Sequence, residues 1–432
     1  MACICMVMSC TDDQANFSDS IDKTLLQSIR KYSPDGTENY YLLPLSGKLT
    51  EVPQDPYNPL SPAKVALGKM LFFETGLAMS ANNESQIKTY SCSTCHIPEA
   101  GFKPGFVQGI ADGGMGFGQN GEKRYIHNEY EENELDIQAI RPLSMVNVAF
   151  VENTFWNGQF GSKGVNVGTE HLWENSEETK FNSLGFEAIE TQNIVGLRAH
   201  RFDVSKSLME EYGYIEMFDK AFPQFKEEYR YSVRAASLAI SAYIRTIIAN
   251  EAPFQQWLEG NVDAMSDSEK EGAILFFGKA NCVKCHYGKN LGSSEFHALG
   301  VKDMDQNPMS FNQDPTDKRH LGRGGFTLNP DDNYKFKVPG LYNICDTEFY
   351  FHGSSHTSLS DVIDYKIAAT KENDRVPDEQ ISTKFKPLTL SEAEKQNLLD
   401  FISISLKDGN LQRYKPDYVL SGFCFPNNDQ QS

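Results

Sequence analysis

The pentads Cys92-Ser93-Thr94-Cys95-His96 and Cys282-Val283-Lys284-Cys285-His286 constrain this chain more than any other feature. Cys-x-x-Cys-His is the pattern that attaches a c-type haem: two thiols bond the porphyrin's vinyl groups and the adjoining histidine meets the iron. The spacing is tight because both sulfurs and the imidazole must reach one flat macrocycle from a single turn of chain. With 9 Cys and 9 His in 432 residues, chance supplies about 0.004 matches, so a pair of matches is a signal. A zinc half-site would need two further thiols or histidines nearby, and the remaining cysteines form no such set. Two covalently bound haem c groups are therefore expected, one on Cys92, Cys95 and His96, the other on Cys282, Cys285 and His286.

A chain of this length exceeds one ordinary core, so two or three domains are expected. Its 40 basic and 59 acidic side chains give a net charge of −19. That balance argues against nucleic acid, which recruits basic patches. It suits steering of a cationic partner such as a small basic cytochrome, or simply a solvated acidic surface. No apolar run reaches membrane-spanning length. Val7-Met8-Ser9-Cys10 is similar to the end of a bacterial lipoprotein signal, which makes Cys10 the expected lipid anchor; the other reading is a cytosolic start with incidental cysteines.

The pattern along the chain is mainly α, with long loops and two cytochrome-c-like domains, each with one covalent c-type haem. Residues 1–60 read as a signal-like segment and tether, 61–262 as the N-terminal cytochrome c domain, 263–415 as the C-terminal one and 416–432 as a tail. Ser61-Pro62 opens a helix, serine capping and proline at the first helical position. Val233, Ala236, Ile240, Tyr243 and Ile247 mark an apolar face between Tyr231 and Asn250. Capping-box pairs Ser266/Glu269 and Ser391/Glu394 start two further helices, and a short one is expected near 358–369. Leu71-Phe72-Phe73 precedes the first pentad and Leu275-Phe276-Phe277 the second, an internal repeat. Residues 101–140 lose apolar periodicity and predict a long loop holding His127. Cys345 and Cys424 are expected as buried thiols, with a disulfide left open.

From about residue 60 to 410 the chain resembles the bacterial dihaem cytochrome c peroxidases and their relative, the dihaem enzyme that matures the tryptophan-derived cofactor of methylamine dehydrogenase. The resemblance is carried by Leu67-Gly68-Lys69-Met70-Leu71-Phe72, Gly101-Phe102 after the first pentad, Arg141 through Asn147, and Phe155-Trp156-Asn157-Gly158. It continues through Phe336-Lys337-Val338-Pro339, Leu341-Tyr342-Asn343 and Tyr350-Phe351-His352-Gly353. It implies peroxide cleavage at the N-terminal haem and electron entry through the C-terminal haem, with His96 and His286 as proximal ligands and Trp156 between them. The expected reaction is reduction of H2O2 to water with electrons from an external cytochrome or small donor. The rivals are a maturation-type oxidase acting on a partner protein and a non-enzymatic electron-transfer cytochrome. The resemblance also implies a periplasmic or cell-envelope protein and allows a homodimer.

Further residues follow from the same resemblance. Counting from His352 with one missing residue places the far ligand of the second haem at Tyr365, with Met304 or Met309 as the alternative; a phenolate lowers the haem potential and a thioether raises it. Gln192 matches the family's distal glutamine. Glu190 is the expected acid–base group, and His200 its substitute. His127 stands as a resting-state ligand of the first iron. Asn147, Thr347 and Phe349 occupy the positions of a calcium site, Phe349 through its carbonyl. Growth with a radiolabelled fatty acid checks the N-terminal expectation: label is incorporated by the wild type and lost in Cys10→Ser, and equal label in both excludes a lipid on Cys10.

Overall fold

The structure is a computed structural model that describes residues 20–45, 47–174 and 176–429; Cys10 and its lipoprotein-like stretch lie outside them. Helices build the core, as the sequence pattern implies. Strand structure is confined, among the described residues, to two antiparallel pairs: Gly114–Met115 with Tyr125–Ile126 and Phe296–His297 with Phe336–Lys337.

The first unit is organised around the Pro62–Phe73 helix. Ser61 caps it, accepting the Lys64 N–H at 3.3 Å, with Pro62 at the first position. Leu67, Leu71, Phe72 and Phe73 are buried, and the helix packs against Val233–Arg245, whose residues from Ala235 to Arg245 are all buried. The Ala188–Ala199 helix packs on the other side of that central helix. The second unit repeats the arrangement. Ser266 and Glu269 form the expected capping box on the Asp267–Phe276 helix, which packs against Glu392–Asp400, capped by Ser391 and Glu394 and continued by a wider π-type turn over Phe401–Ser405.

The internal repeat is deeper than its aromatic end. In both units it reads Gly-x-x-Leu-Phe-Phe, from Gly68 and from Gly272. A Cβ on Gly68 would lie 1.9 Å from the Ala239 carbonyl oxygen, and one on Gly272 would lie 1.9 Å from that of Asn397. Each glycine is the point where the helix leading into a haem pentad meets the backbone of its partner helix.

Both ends of the described chain depart from the expectation of a tether and a tail. Ser20–Tyr32 is a helix, with Leu25 and Ile29 fully buried against the Asp267–Phe276 helix. Its buried Asp22 pairs with Lys270 at 2.9 Å and accepts the Trp257 indole N–H at 2.8 Å. This segment packs on the second unit although it precedes the first. Residues 416–429 run back over the first unit: Thr94, inside the first pentad, donates to the Pro426 carbonyl at 2.8 Å, Ser421 donates to Glu74 at 2.6 Å, and Asp429 pairs with buried Arg124 at 3.6 Å. Cys345 and Cys424 are free thiols, and Cys424 is exposed rather than buried.

Gly68→Ala and Gly272→Ala should each lower stability by about 1–3 kcal/mol, the usual range for overpacking. Gly409→Ala, where an added Cβ meets nothing within 4 Å, should leave it unchanged. Denaturant unfolding of the three variants measures the difference.

Candidate dihaem site

Each pentad begins as a single 3-10 turn, Cys92–Thr94 and Cys282–Lys284. The turn places the histidine N–H on the first cysteine's carbonyl at 3.0 Å in both cases. His96 Nδ1 lies 3.2 Å from the Phe102 carbonyl and His286 Nδ1 lies 2.8 Å from that of Leu291. A carbonyl only accepts, so Nδ1 carries the proton and the Nε2 lone pair is left for a metal. Burial lowers the pKa of both rings to about 4, which keeps them neutral. It pushes the Cys92, Cys95 and Cys282 thiols up to about 12, which favours protonated S–H groups over a thiolate metal site. Gly109 has no room for a side chain because Cys95 Sγ would lie 2.5 Å from its Cβ. Two thiols and one metal-ready imidazole on a single turn fit a covalent haem at each pentad.

The two histidines face two adjoining cavities. One, of about 460 Å³, is lined by His96, Gln192 and Trp156 among others. The other, of about 190 Å³, is lined by Cys285, His286 and Trp156. Arg141 to Ser144, Trp156 and Lys337 to Gly340 border both. Trp156 thus stands in the wall between the histidines. Its indole N–H donates to the Arg141 carbonyl at 2.7 Å, its own carbonyl accepts from Lys337 N–H at 2.8 Å, and its ring meets His352 and Phe336 edge-on.

Residues 62–263 match the sequence profile of the family described as di-haem cytochrome c peroxidase. The chain is 28% identical over 359 residues to the methylamine utilization protein MauG of Methylorubrum extorquens, covering 81% of this chain and 80% of that one. It is 26% identical over 376 residues to the cytochrome-c peroxidase IdrP1 of Pseudomonas sp. strain SCT, covering 81% and 82%. Over residues 62–263 the chain carries the signature of the dihaem cytochrome c peroxidase family. Its fold is shared with the crystal structure of a MauG-like protein associated with microbial copper homeostasis, at a TM-score of 0.56 and 23% identity, over 85% of this chain and 95% of that one. A dihaem family of oxidoreductases implies two haem c groups.

Within this family frame the expected distal residues separate. Gln192 is on the wall of the His96 cavity. Glu190 is not: its fully buried carboxylate is held by Arg245 at 2.8 and 2.6 Å, joining the Ala188–Ala199 helix to Val233–Arg245. Burial raises its pKa and Arg245 opposes the rise. One turn of helix decides this, because Glu190 and Gln192 point about 200° apart. Gln192, Gly196 and His200 follow at four-residue steps along one face, and a Cβ on Gly196 would meet nothing within 4 Å. His200, at the end of that helix, is itself off the cavity wall; it has Asp136 at 2.7 Å from Nδ1, and its charge acts on His96. Burial lowers the pKa of His200, but Asp136 outweighs burial and holds it above the ordinary value.

Other expected residues are placed as follows. His127 is buried beside Tyr130, its Nδ1 accepting the Glu129 N–H at 3.2 Å, on neither cavity wall. Its loop is fixed by Arg124, which donates to the Ile110, Ala111, Gly114 and Gly116 carbonyls. Asn147 accepts the Ala249 N–H at 2.9 Å through Oδ1. Thr347 accepts from Arg141 at 2.8 Å, and the Phe349 ring packs on the same guanidinium at 5.4 Å. Tyr365 directs its hydroxyl to the Leu299 carbonyl at 2.6 Å and is absent from the wall of the His286 cavity, where the next residue, Lys366, stands. Burial raises the pKa of Tyr365, which keeps it a phenol. Met304 is buried off that wall and Met309 is exposed. Asp136 and Lys366 carry no motif around them, and neither was legible from the sequence pattern.

The His200–Asp136 pair stabilises the fold while His200 is charged. That contribution is complete below the ring's ordinary pKa of about 6.5 and is lost as pH rises through its higher folded value. Asp136→Asn removes the pair, so the stability gap between wild type and variant should be widest below about pH 6.5 and narrow as pH rises above it, as read by denaturant titration.

Proposed function

We propose that this chain is a dihaem c-type cytochrome-c peroxidase that reduces H2O2 to water with electrons from an external cytochrome or other small donor. What supports the reading above all is Trp156 in the common wall of the cavities that hold His96 and His286, an arrangement that an electron carrier with independent haems does not need. Bound haem supplies peroxide cleavage at the first site and electron relay at the second. One peroxide, two electrons and two protons give two waters.

The protein's own part is to place these groups and handle the protons. His96 and His286 would hold the irons through Nε2, their rings oriented by the Phe102 and Leu291 carbonyls. Gln192 donates from the cavity wall toward peroxide oxygen. His200 takes a proton from one peroxide oxygen and returns it to the departing one, with Asp136 holding its ring and balancing its charge. Glu190, paired with Arg245, keeps the helix that carries Gln192 and His200 in place. The expected domains, 61–262 for the peroxidatic haem and 263–415 for the electron-transfer haem, belong to this proposal, with residues 20–32 added to the second. So does a periplasmic or cell-envelope location; among the described residues no helix is long and apolar enough to cross a membrane. An oxidase that acts on a residue of a partner protein is the second reading, favoured by the match to methylamine utilization protein MauG over four-fifths of both chains.

Peroxide turnover by purified haem-loaded protein with a reduced cytochrome or dye donor tests the proposal. The wild type should turn over, His200→Ala should lose about 10²–10⁴-fold in kcat, the usual worth of general acid–base catalysis, and Glu190→Gln should lose stability more than kcat. Turnover only after mild reduction points to a gated first haem and to His127 as its resting ligand. Absence of turnover in the wild type moves the assignment to the second reading.

A further inference from the structure

The wall of the His286 cavity carries an amine, that of Lys366. The Leu359–Ala368 helix lies over the His286 cavity, and two of its side chains, Val362 and Lys366, reach the wall. They are four residues apart and therefore share one face. Tyr365 points about 100° away and is committed to the Leu299 carbonyl. Lys366 shares the cavity wall with Cys285 and His286 of the pentad that would carry the haem, and its charge acts on both and on Cys282. Among the described residues it has no carboxylate and no hydrogen-bond acceptor; its neighbours are the rings of Phe351 and Phe385, at 5.5 and 5.6 Å.

Other nitrogen bases on this wall are already engaged. His297 has Glu295 at 2.8 Å from Nε2 and Ser382 at 2.9 Å from Nδ1. His352 has Asp303 at 2.9 Å from Nε2, and its ring is stacked flat on Phe336. Lys103 donates to the Asn343 and Ile344 carbonyls, and Lys337 to that of Ser293. Tyr334 and Tyr350 reach the wall from loops and are the oxygen-donor competitors.

We infer that Lys366 Nζ is the second axial ligand of the C-terminal haem iron, giving that iron a histidine and a neutral amine. The inference rests on covalent haem at Cys282–His286 and not on peroxide turnover. An amine is a hard, strongly donating ligand that favours the ferric state over what a thioether would allow. It delivers this without a buried phenolate charge. As a ligand, its lone pair tunes the potential of that haem.

The experiment is mass spectrometry of the holoprotein, followed by electron paramagnetic resonance and near-infrared magnetic circular dichroism of the ferric protein. Two haems by mass, a low-spin signal for the C-terminal haem and no sulfur-to-iron band are expected. Lys366→Ala should convert that haem to high spin and let added imidazole bind it. Lys366→Met should create the sulfur-to-iron band and raise that haem's midpoint potential. Tyr365→Phe should leave both haems as in the wild type. A wild-type low-spin spectrum in Lys366→Ala, a sulfur band in the wild type, or a phenolate-to-iron band overturns the ligand assignment alone. A mass short of two haems overturns the haem reading of the second pentad, and the ligand assignment with it.

Discussion

The buried guanidinium of Arg141 holds the region between the two haem sites together. Among the described residues it has no carboxylate partner; its hydrogen bonds run to the Pro104, Phe106 and Val107 carbonyls and to the Thr347 hydroxyl. Burial lowers its pKa to about 9, and the carbonyl oxygens offset only part of the lost hydration. The main chain of the same residue does as much: its N–H donates to the His352 carbonyl at 2.8 Å and its carbonyl receives the Trp156 indole N–H. One residue thereby ties the loop after the first pentad, the wall tryptophan and the segment leading into the helix of Lys366. A flexible lysine could match the charge but not this fan of donors.

The ends of the chain add a second constraint of the same kind. The Ser20–Tyr32 helix precedes the first unit yet packs on the second, through Leu25, Ile29 and the Asp22–Lys270 pair. The last described residues follow the second unit yet close over the first, reaching Thr94 inside its pentad. Each unit therefore carries a piece from the far end of the chain. This crossing ties the two units together through both ends of the described chain.

The legible features were local ones. Ser61 with Pro62, and the Ser266/Glu269 and Ser391/Glu394 boxes, start helices where their chemistry demands it. The pentads form turns that orient histidines because both cysteines and the ring lie within five residues. The less legible features depended on direction. Glu190 and Gln192 are chemically equivalent guesses for a distal group, and only the packing of the Ala188–Ala199 helix sends one to Arg245 and the other to the cavity. Tyr365 and Lys366 differ by one step in a count that assumed a missing residue after His352. On a helix that step is a rotation of about 100°, enough to exchange a cavity wall for a backbone carbonyl. The stretch expected as a tether hid a helix because its apolar residues are few, and its partner lies more than two hundred residues away.

By itself the sequence determined two Cys-x-x-Cys-His turns, the mainly helical class, the repeat that leads into each pentad and the family resemblance, because these depend on residues close together or on many weak matches in order. The tertiary structure alone decided which carboxylate is walled into an ion pair, which histidine sits with Asp136, which termini cross over, and which side chains of the Leu359–Ala368 helix line the His286 cavity. Those outcomes are set by helix rotation and by contacts between distant segments, and a one-dimensional pattern carries neither.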